Sequence, residues 1–409
     1  MTLDTAKPVA LHVSRVFFDR HVRNNPHLSP YDRTEAVRNL IETASDYTHV
    51  VVSLTRVTRP NLRFDDVYDD GPIKVIALGY FGLPYGLGLR GEMRRVARRV
   101  KAVLAKHNIS PDIVHSHTLA FDGLAGAALA KTYNVPHVAS VRGESDFKVV
   151  RKLPHLRAKV RQIYRDAAHV FYVSAWAREE MEQRLCARSE RTDRLPNITK
   201  GTFGTRDADA PVTGAVSART ADQPLRVITV LRLDAWEKKR LHVLLNAVAS
   251  RPDLNIELEI VGGGRAPGIE DQIKGLIDAA GIADKVSMSG QVTQSEVVAK
   301  MRDADIFALV SVNETFGMVY VEALASGIPV VFTRGTGIDG YIAHGKVGLG
   351  VPSDDAEALA NAIEEIAASL PVFRTNVAAA QDELQKMFLP ANISQTYQQA
   401  LAQALVAKA

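Results

Sequence analysis

Residues Asp305 to Thr333 read DIFALVSVNETFGMVYVEALASGIPVVFT. An apolar, β-branched run opens this stretch, and a polar loop follows that ends in Phe316-Gly317. An apolar helical segment then runs to Ala325, and Ser326-Gly327 leads into a second β-branched run from Ile328. Neither run alternates polar with apolar residues, so both predict strands buried on two faces, and a helix joining two such strands makes them parallel. Working outward, the strands LRVITVL from Leu225, IELEIVG from Ile256 and KVSMSG from Lys285 repeat this unit, with helices near 239–249, 268–280, 294–302, 317–326 and 354–369. The first half repeats it again, with strands at VALHVS (Val9), HVVVSL (His49), IKVIAL (Ile73), DIVHS (Asp112), PHVASV (Pro136) and HVFYVS (His169). The reading is α/β: two Rossmann-like, doubly wound parallel-sheet domains, 1–205 and 206–409, facing each other across a cleft. The Gly-, Ala-, Thr- and Asp-rich stretch 201–224 predicts the linker, and the last helix, about 391–409, is expected to pack back on the first domain.

The chain has 409 residues, 46% apolar and 23% charged, with 27 Gly and 18 Pro, which excludes collagen-like, coiled-coil and low-complexity classes. One cysteine, Cys186, rules out an intrachain disulfide. With no secretory signal pattern and no run of 18 apolar residues, the expectation is a cytoplasmic protein whose contact with membrane, if any, is peripheral. The net charge of +4 conceals an asymmetry: residues 1–205 hold 32 Lys and Arg against 21 Asp and Glu, and residues 206–409 hold 18 against 25.

In the quoted stretch, Glu314 stands in the loop before a helix and Glu322 one to two turns inside it. A helix N-terminus beside a glycine turn suits anions and hydroxyl oxygens, and an adjacent carboxylate prefers hydroxyl donors such as those of a sugar or ribose. Arg232, Asp234 and Glu237-Lys238-Lys239-Arg240 follow the Leu225 strand, where a diphosphate would need neutralising charge. Gly262-Gly263-Gly264 follows the Ile256 strand and would let amides approach a phosphate, although a plain tight turn also explains it.

Taken in order, LRLDAWEKKRLHVLLNAV, ELEIVGGG, KVSMSGQVTQSEVVAKMRDADIFALVSVNETFGMVYVEALASGIPVV and KVGLGVPSDDAEALANAI resemble the donor-binding half of glycosyltransferase family 4, the retaining, nucleotide-sugar-dependent enzymes of the GT-B fold. The resemblance covers about 140 residues strongly and nearly the whole chain more loosely. It implies that Arg232 and Lys239, or Lys238 in its place, hold the diphosphate, and that Gly263 and Gly264 line the nucleotide pocket. It implies further that Val292 meets the base through its backbone, that Glu314 and the amides of Phe316, Gly317 and Met318 hold the donor sugar, and that Glu322 holds the ribose. His117 would approach the donor sugar. Its alternation with His115 in DIVHSHT turns both rings the same way. Arg142-Gly143 stands where relatives have His-Gly, which suggests an anionic acceptor. Relatives also carry a Gly-Gly pair after the first strand that VSRVFFDRHVRNNPHLSPYDR lacks.

The implied activity is transfer of a sugar from a UDP- or GDP-sugar to a sugar, polysaccharide or lipid-linked acceptor hydroxyl, with retention, in cell-envelope polysaccharide or glycolipid synthesis. Arg232 and Lys239 would supply the charge a metal supplies elsewhere, so neither metal nor cofactor is expected; the triplets Asp207-Asp209 and Asp303-Asp305 read as structural. Alternatives left open are a sugar phosphorylase, a sugar-nucleotide epimerase or a silent nucleotide-sugar-binding partner. The basic segments MRRVARRVKAVLAK and RKLPHLRAKVRQIYR read as core-packed helices with solvated basic faces, with anionic membrane as the rival partner; nothing resembles a nucleic-acid-reading element.

Overall fold

The structure is a computed structural model, and it describes residues 7–20, 34–188, 190–199 and 223–407. The chain divides into one unit of residues 1–198 with 390–409 and a second of 199–389. The 205/206 boundary, residues 201–222 of the 201–224 linker, Asp207-Asp209 and residues 21–33 of the first loop lie outside the described residues.

The first unit carries an eight-stranded sheet in the order β3-β4-β2-β1-β5-β6-β7-β8: β1 Val9–Ser14, β2 Thr48–Val57, β3 Asp65–Asp70, β4 Ile73–Phe81, β5 Ile113–Ser116, β6 His137–Val141, β7 His169–Tyr172 and β8 Thr192–Arg194. All neighbours are parallel except β3, which pairs antiparallel with β4 and makes the sheet mixed where a wholly parallel one was expected. β3 reads DDVYDD, and such an acidic segment shows no strand periodicity; it forms because an edge strand needs to bury little. Alternation sorts the core. Leu11, Val13, Val50 and Val52 pack with Met93, Val96, Val100 and Leu104 of the helix Leu89–Lys106, while Ala10, Ile113, Val138 and Phe171 pack with Tyr397 and Leu401 of the C-terminal helix Pro390–Val406.

Two basic-helix expectations need correction. RKLPHLRAKVRQIYR is two helices, Glu144–Lys152 and Pro154–Asp166, because Pro154 cannot continue the first and starts the second. Arg99 does not face solvent: its guanidinium donates to the carbonyls of Gly79 and Phe64, each at 2.8 Å, and pairs with Asp65, so it ties the edge strand to the sheet.

The second unit holds a six-stranded parallel sheet, β11-β10-β9-β12-β13-β14, from β9 Leu225–Val230, β10 Ile256–Val261, β11 Val286–Gly290, β12 Ile306–Ala308, β13 Val330–Thr333 and β14 Gly348–Val351. β14 has no β-branched run, only GLGV. Its glycines are needed because a Cβ at Gly348 would strike the Val330 carbonyl and one at Gly350 would meet the Phe332 ring at 2.9 Å. Helices Leu241–Ala249 and Ala356–Ala368 cover one face, with Leu244, Val248, Leu359 and Ile363 buried against Val227, Leu258 and Val331.

Candidate active site

In the second unit β9 lies between β10 and β12, so the chain switches direction across the sheet at β9 and the loops after these strands meet at their carboxyl ends, where ligands of such sheets bind. The β9 loop carries Arg232, exposed, then Asp234, whose carboxylate accepts the amides of Arg265 and Ala266, both at 2.9 Å at the shorter contact. Those two hydrogen bonds hold its pKa below the usual carboxylate value. Leu233 N–H donates to Gly263 at 3.0 Å, completing the join between the β9 and β10 loops. Gly263 and Gly264 serve the protein's own packing here: a Cβ would stand 3.0 Å from Cβ of Gln291 at the first and would strike Ile269 at the second.

Lys239 Nζ pairs with Glu314 Oε2, which joins the β9 loop to the β12 loop. Of the two lysines left open by the sequence, Lys239 therefore meets Glu314, whereas Lys238 is exposed and its carbonyl accepts Val312 N–H at 2.9 Å. Burial pushes the Glu314 carboxyl up, but Lys239, Lys238 and the Thr315 amide outweigh it and leave the pKa below the ordinary glutamate value. The carboxylate is thus charged at neutral pH, an acceptor beside the start of helix Met318–Ala325. Gly317 caps that helix at φ +74° and Gly337 N–H donates to the Glu314 carbonyl at 2.9 Å. Phe316 contributes a buried ring, edge-on to Tyr341 and Phe388, so only its backbone can face a ligand.

Glu322 is buried in the same helix; burial raises its pKa, and a hydrogen bond from the side chain of Gln294 acts in the opposite direction. Gln294 opens the helix Gln294–Asp303, capped by Thr293 and Glu296, two residues after half-buried Val292, so Val292 and Glu322 belong to adjoining elements. Asp305 is structural: it accepts Arg226 N–H at 2.9 Å and Arg374 Nη2 at 2.7 Å. Gln294 and Gly337 escaped the sequence reading, and Asp234 stood there only as a member of its charged cluster, because their partners are set by loop packing.

The first unit gathers histidines where β1 and β5 adjoin. His117 is fully buried, with Nε2 3.0 Å from His12 Nδ1, and its ring centroid lies 4.1 Å from that of His115. The shared face of His115 and His117 is the one covered by the C-terminal helix: His115 Nδ1 lies 2.9 Å from Tyr397 Oη and its Nε2 2.8 Å from Ser140 Oγ. Burial, then neighbouring His and Arg142 charge, holds His12, His115 and His117 well below the usual imidazole value. His12 and His49 were missed; the signal was a histidine on each of two adjacent parallel strands. Arg142 donates from Nη1 to Asn197 Oδ1 at 2.8 Å, its Nε has no hydrogen-bond partner among the described residues, and burial lowers its pKa to about 10. Gly143 precedes the helix Glu144–Lys152 in extended backbone and its carbonyl accepts Asp146 N–H at 3.0 Å.

Residues 217–376 match the family described as glycosyl transferases group 1, and residues 34–199 match glycosyltransferase family 4. The chain is 30% identical over 350 residues to a D-inositol 3-phosphate glycosyltransferase of Corynebacterium urealyticum, covering 81% of each. Among solved structures it is similar to a sucrose-phosphate synthase of Thermosynechococcus elongatus (TM-score 0.69, 22% identity, 98% of this chain and 100% of that one). It is also similar to Anabaena HepE in complex with UDP (TM-score 0.67, 19% identity, 97% and 99%). No described helix is long and apolar enough to cross a membrane. With two α/β units, a switch-point site in the second and this similarity along both, the chain belongs to glycosyltransferase family 4, a glycosyltransferase of the GT-B fold.

Proposed function

We propose that the protein moves a sugar from a nucleotide diphosphate sugar, UDP- or GDP-linked, to an acceptor hydroxyl with retention at the anomeric carbon and without a metal. The observation that carries this reading is the Lys239–Glu314 pair at the switch point beside the Met318 helix start. In this reading Glu314 accepts hydrogen bonds from donor-sugar hydroxyls, and Arg232 and Lys239 stabilise the departing diphosphate electrostatically. Gly263, Gly264 and Val292 border the nucleotide, Glu322 binds the ribose, and the amides at Phe316, Gly317 and Met318 face the sugar. The UDP in the HepE structure favours a uracil base. The charges that act on Glu314 are those of Lys239 and Lys238, which favours a hydroxyl-binding carboxylate and same-face attack assisted by the leaving diphosphate over a double displacement.

On the acceptor side, Arg142 and Gly143 receive the acceptor. A half-buried guanidinium whose hydrogen bond among the described residues goes to a neutral amide favours an acceptor bearing an anion, as the inositol 3-phosphate in the relative's name does. The basic first half favours lipid-linked or polysaccharide acceptors of the cell envelope, met at the inner face of the membrane. Thermal unfolding with UDP, GDP, ADP and their sugars tests the donor reading: a nucleotide at about 100 times its Kd adds about 2.7 kcal/mol of stability. Glu322→Ala is expected to abolish that gain, and an undiminished shift refutes the ribose role.

A further inference from the structure

Three imidazoles stand in a row beneath the C-terminal helix. His49 Nε2 lies 2.7 Å from the Ala44 carbonyl oxygen, His49 Nδ1 lies 3.0 Å from His12 Nε2, and His12 Nδ1 lies 3.0 Å from His117 Nε2. A carbonyl oxygen only accepts, so His49 carries its proton on Nε2. Burial disfavours the charged form of all three rings, so each holds a single N–H and the direction propagates. His49 Nδ1 is bare and accepts from His12 Nε2–H; His12 Nδ1 is bare and accepts from His117 Nε2–H. The chain therefore ends on a bare lone pair at His117 Nδ1, an atom that is buried and has no hydrogen-bond partner among the described residues. A buried acceptor left unpaired costs free energy, so the fold holds this one open for a donor that arrives with a ligand.

His12, His115 and His117 also offer nitrogens within 4.8 Å of one another, a spacing compatible with a metal. Both nitrogens of His12 and both of His115 are already hydrogen-bonded, however, and only the lone pair of His117 Nδ1 is free.

We propose that His49 and His12 are positioning residues that lock His117 in the Nε2–H tautomer and so present its Nδ1 as the acceptor of a substrate hydroxyl. The substrate half rests on the sugar-transfer reading above; the tautomer half does not. The test is a two-bond proton–nitrogen correlation spectrum of the full chain labelled at histidine, without ligand, with the His117 signals identified by their loss in His117→Gln. His117 is expected to show a pyridine-type Nδ1 and a pyrrole-type Nε2. His49→Phe keeps the ring but neither donates nor accepts, so it should give a mixture of His117 tautomers and lower kcat about tenfold with donor KM little changed. His49→Gln, whose amide can donate to Ala44 and accept from His12, should restore both readouts. A protonated Nδ1 on His117 in the unmodified protein overturns the proposal, as do His49→Phe spectra identical to it. Stoichiometric Co²⁺ binding lost in His117→Gln overturns it too, because a ligated cluster has different proton positions. A changed tautomer with unchanged kcat overturns the substrate half alone. Absence of turnover in the unmodified protein with every donor instead counts against the sugar-transfer reading, since the spectrum is read without substrate.

Discussion

Acidification is expected to destabilise the first unit, and the size of the effect follows from its buried titratable groups. His12, His115, His117 and His137 are held below the ordinary imidazole value chiefly by burial, His137 at about 4. The unfolded chain protonates them near pH 6.5 and the folded chain does not, so below that pH the unfolded state binds more protons and stability falls. Asp122 and Asp146 act in the opposite sense. Burial raises them to about 6 and about 7, so on acidification the folded chain takes up protons that the unfolded chain binds only near pH 4. From pH 7 to pH 5 each histidine that stays neutral in the fold costs at most about 2 kcal/mol, the histidines outnumber the two aspartates, and the net change is a loss on the order of a few kcal/mol. The sequence has two tryptophans, and Trp236→Phe leaves Trp176, stacked on Phe147 at 4.6 Å in the first unit, as the reporter. Urea unfolding followed by its fluorescence should show the midpoint falling steadily across this range. His137→Gln should reduce the pH slope by about 1 kcal/mol per unit between pH 6 and pH 5. A midpoint that holds or rises on acidification, or a variant with the parent's slope, refutes the reasoning.

Two further perturbations address the second unit, read by Trp236 in a Trp176→Phe background. A double-mutant cycle of Lys239→Met and Glu314→Gln should give a coupling of about 1–3 kcal/mol, between the values of exposed and buried pairs, because the side chains are 22% and 14% exposed. Because the folded pKa of Glu314 lies below its unfolded value, this contribution is present above the ordinary glutamate pKa and is lost as pH falls through the folded value; a coupling constant with pH contradicts the assignment. Gly317→Ala places a Cβ 2.5 Å from two ring carbons of Tyr320 at a φ of +74°. The ring cannot yield, since it is buried and its hydroxyl donates to Leu309 at 2.7 Å, so a loss of about 2–4 kcal/mol is expected. An unfolding midpoint within 0.5 kcal/mol of the parent, on the order of a neutral surface change, would show the Gly317 turn to be replaceable.

Most of the strands and helices were legible because each buried parallel strand is an apolar run and each crossover helix is amphipathic, and both patterns are local. The exceptions were elements whose formation depends on a neighbour. DDVYDD is a strand only because β4 offers it an edge, and GLGV only because Val330 and Phe332 leave no room for side chains. Pro154 was visible in the sequence, yet the basic segment around it was read as one helix. Among the candidate site residues, Glu314, Gly317 and Glu322 could be placed by their offsets from one helix start, which the single stretch Asp305–Thr333 contains in full.

The amino-acid order thus determined the two α/β units, the family, and the loops that carry the candidate site residues of the second unit. Folding decided which side chains meet: Lys239 with Glu314 across 75 residues, His12 with His117 across 105, and His115 with Tyr397 across 282. Such pairings arise from strand order and from the return of the C-terminal helix, and no local periodicity encodes them. His117 shows the difference most clearly. Its strand position and facing were readable from DIVHSHT, whereas its burial, its neutral ring and the single lone pair it leaves open follow only from what packs around it.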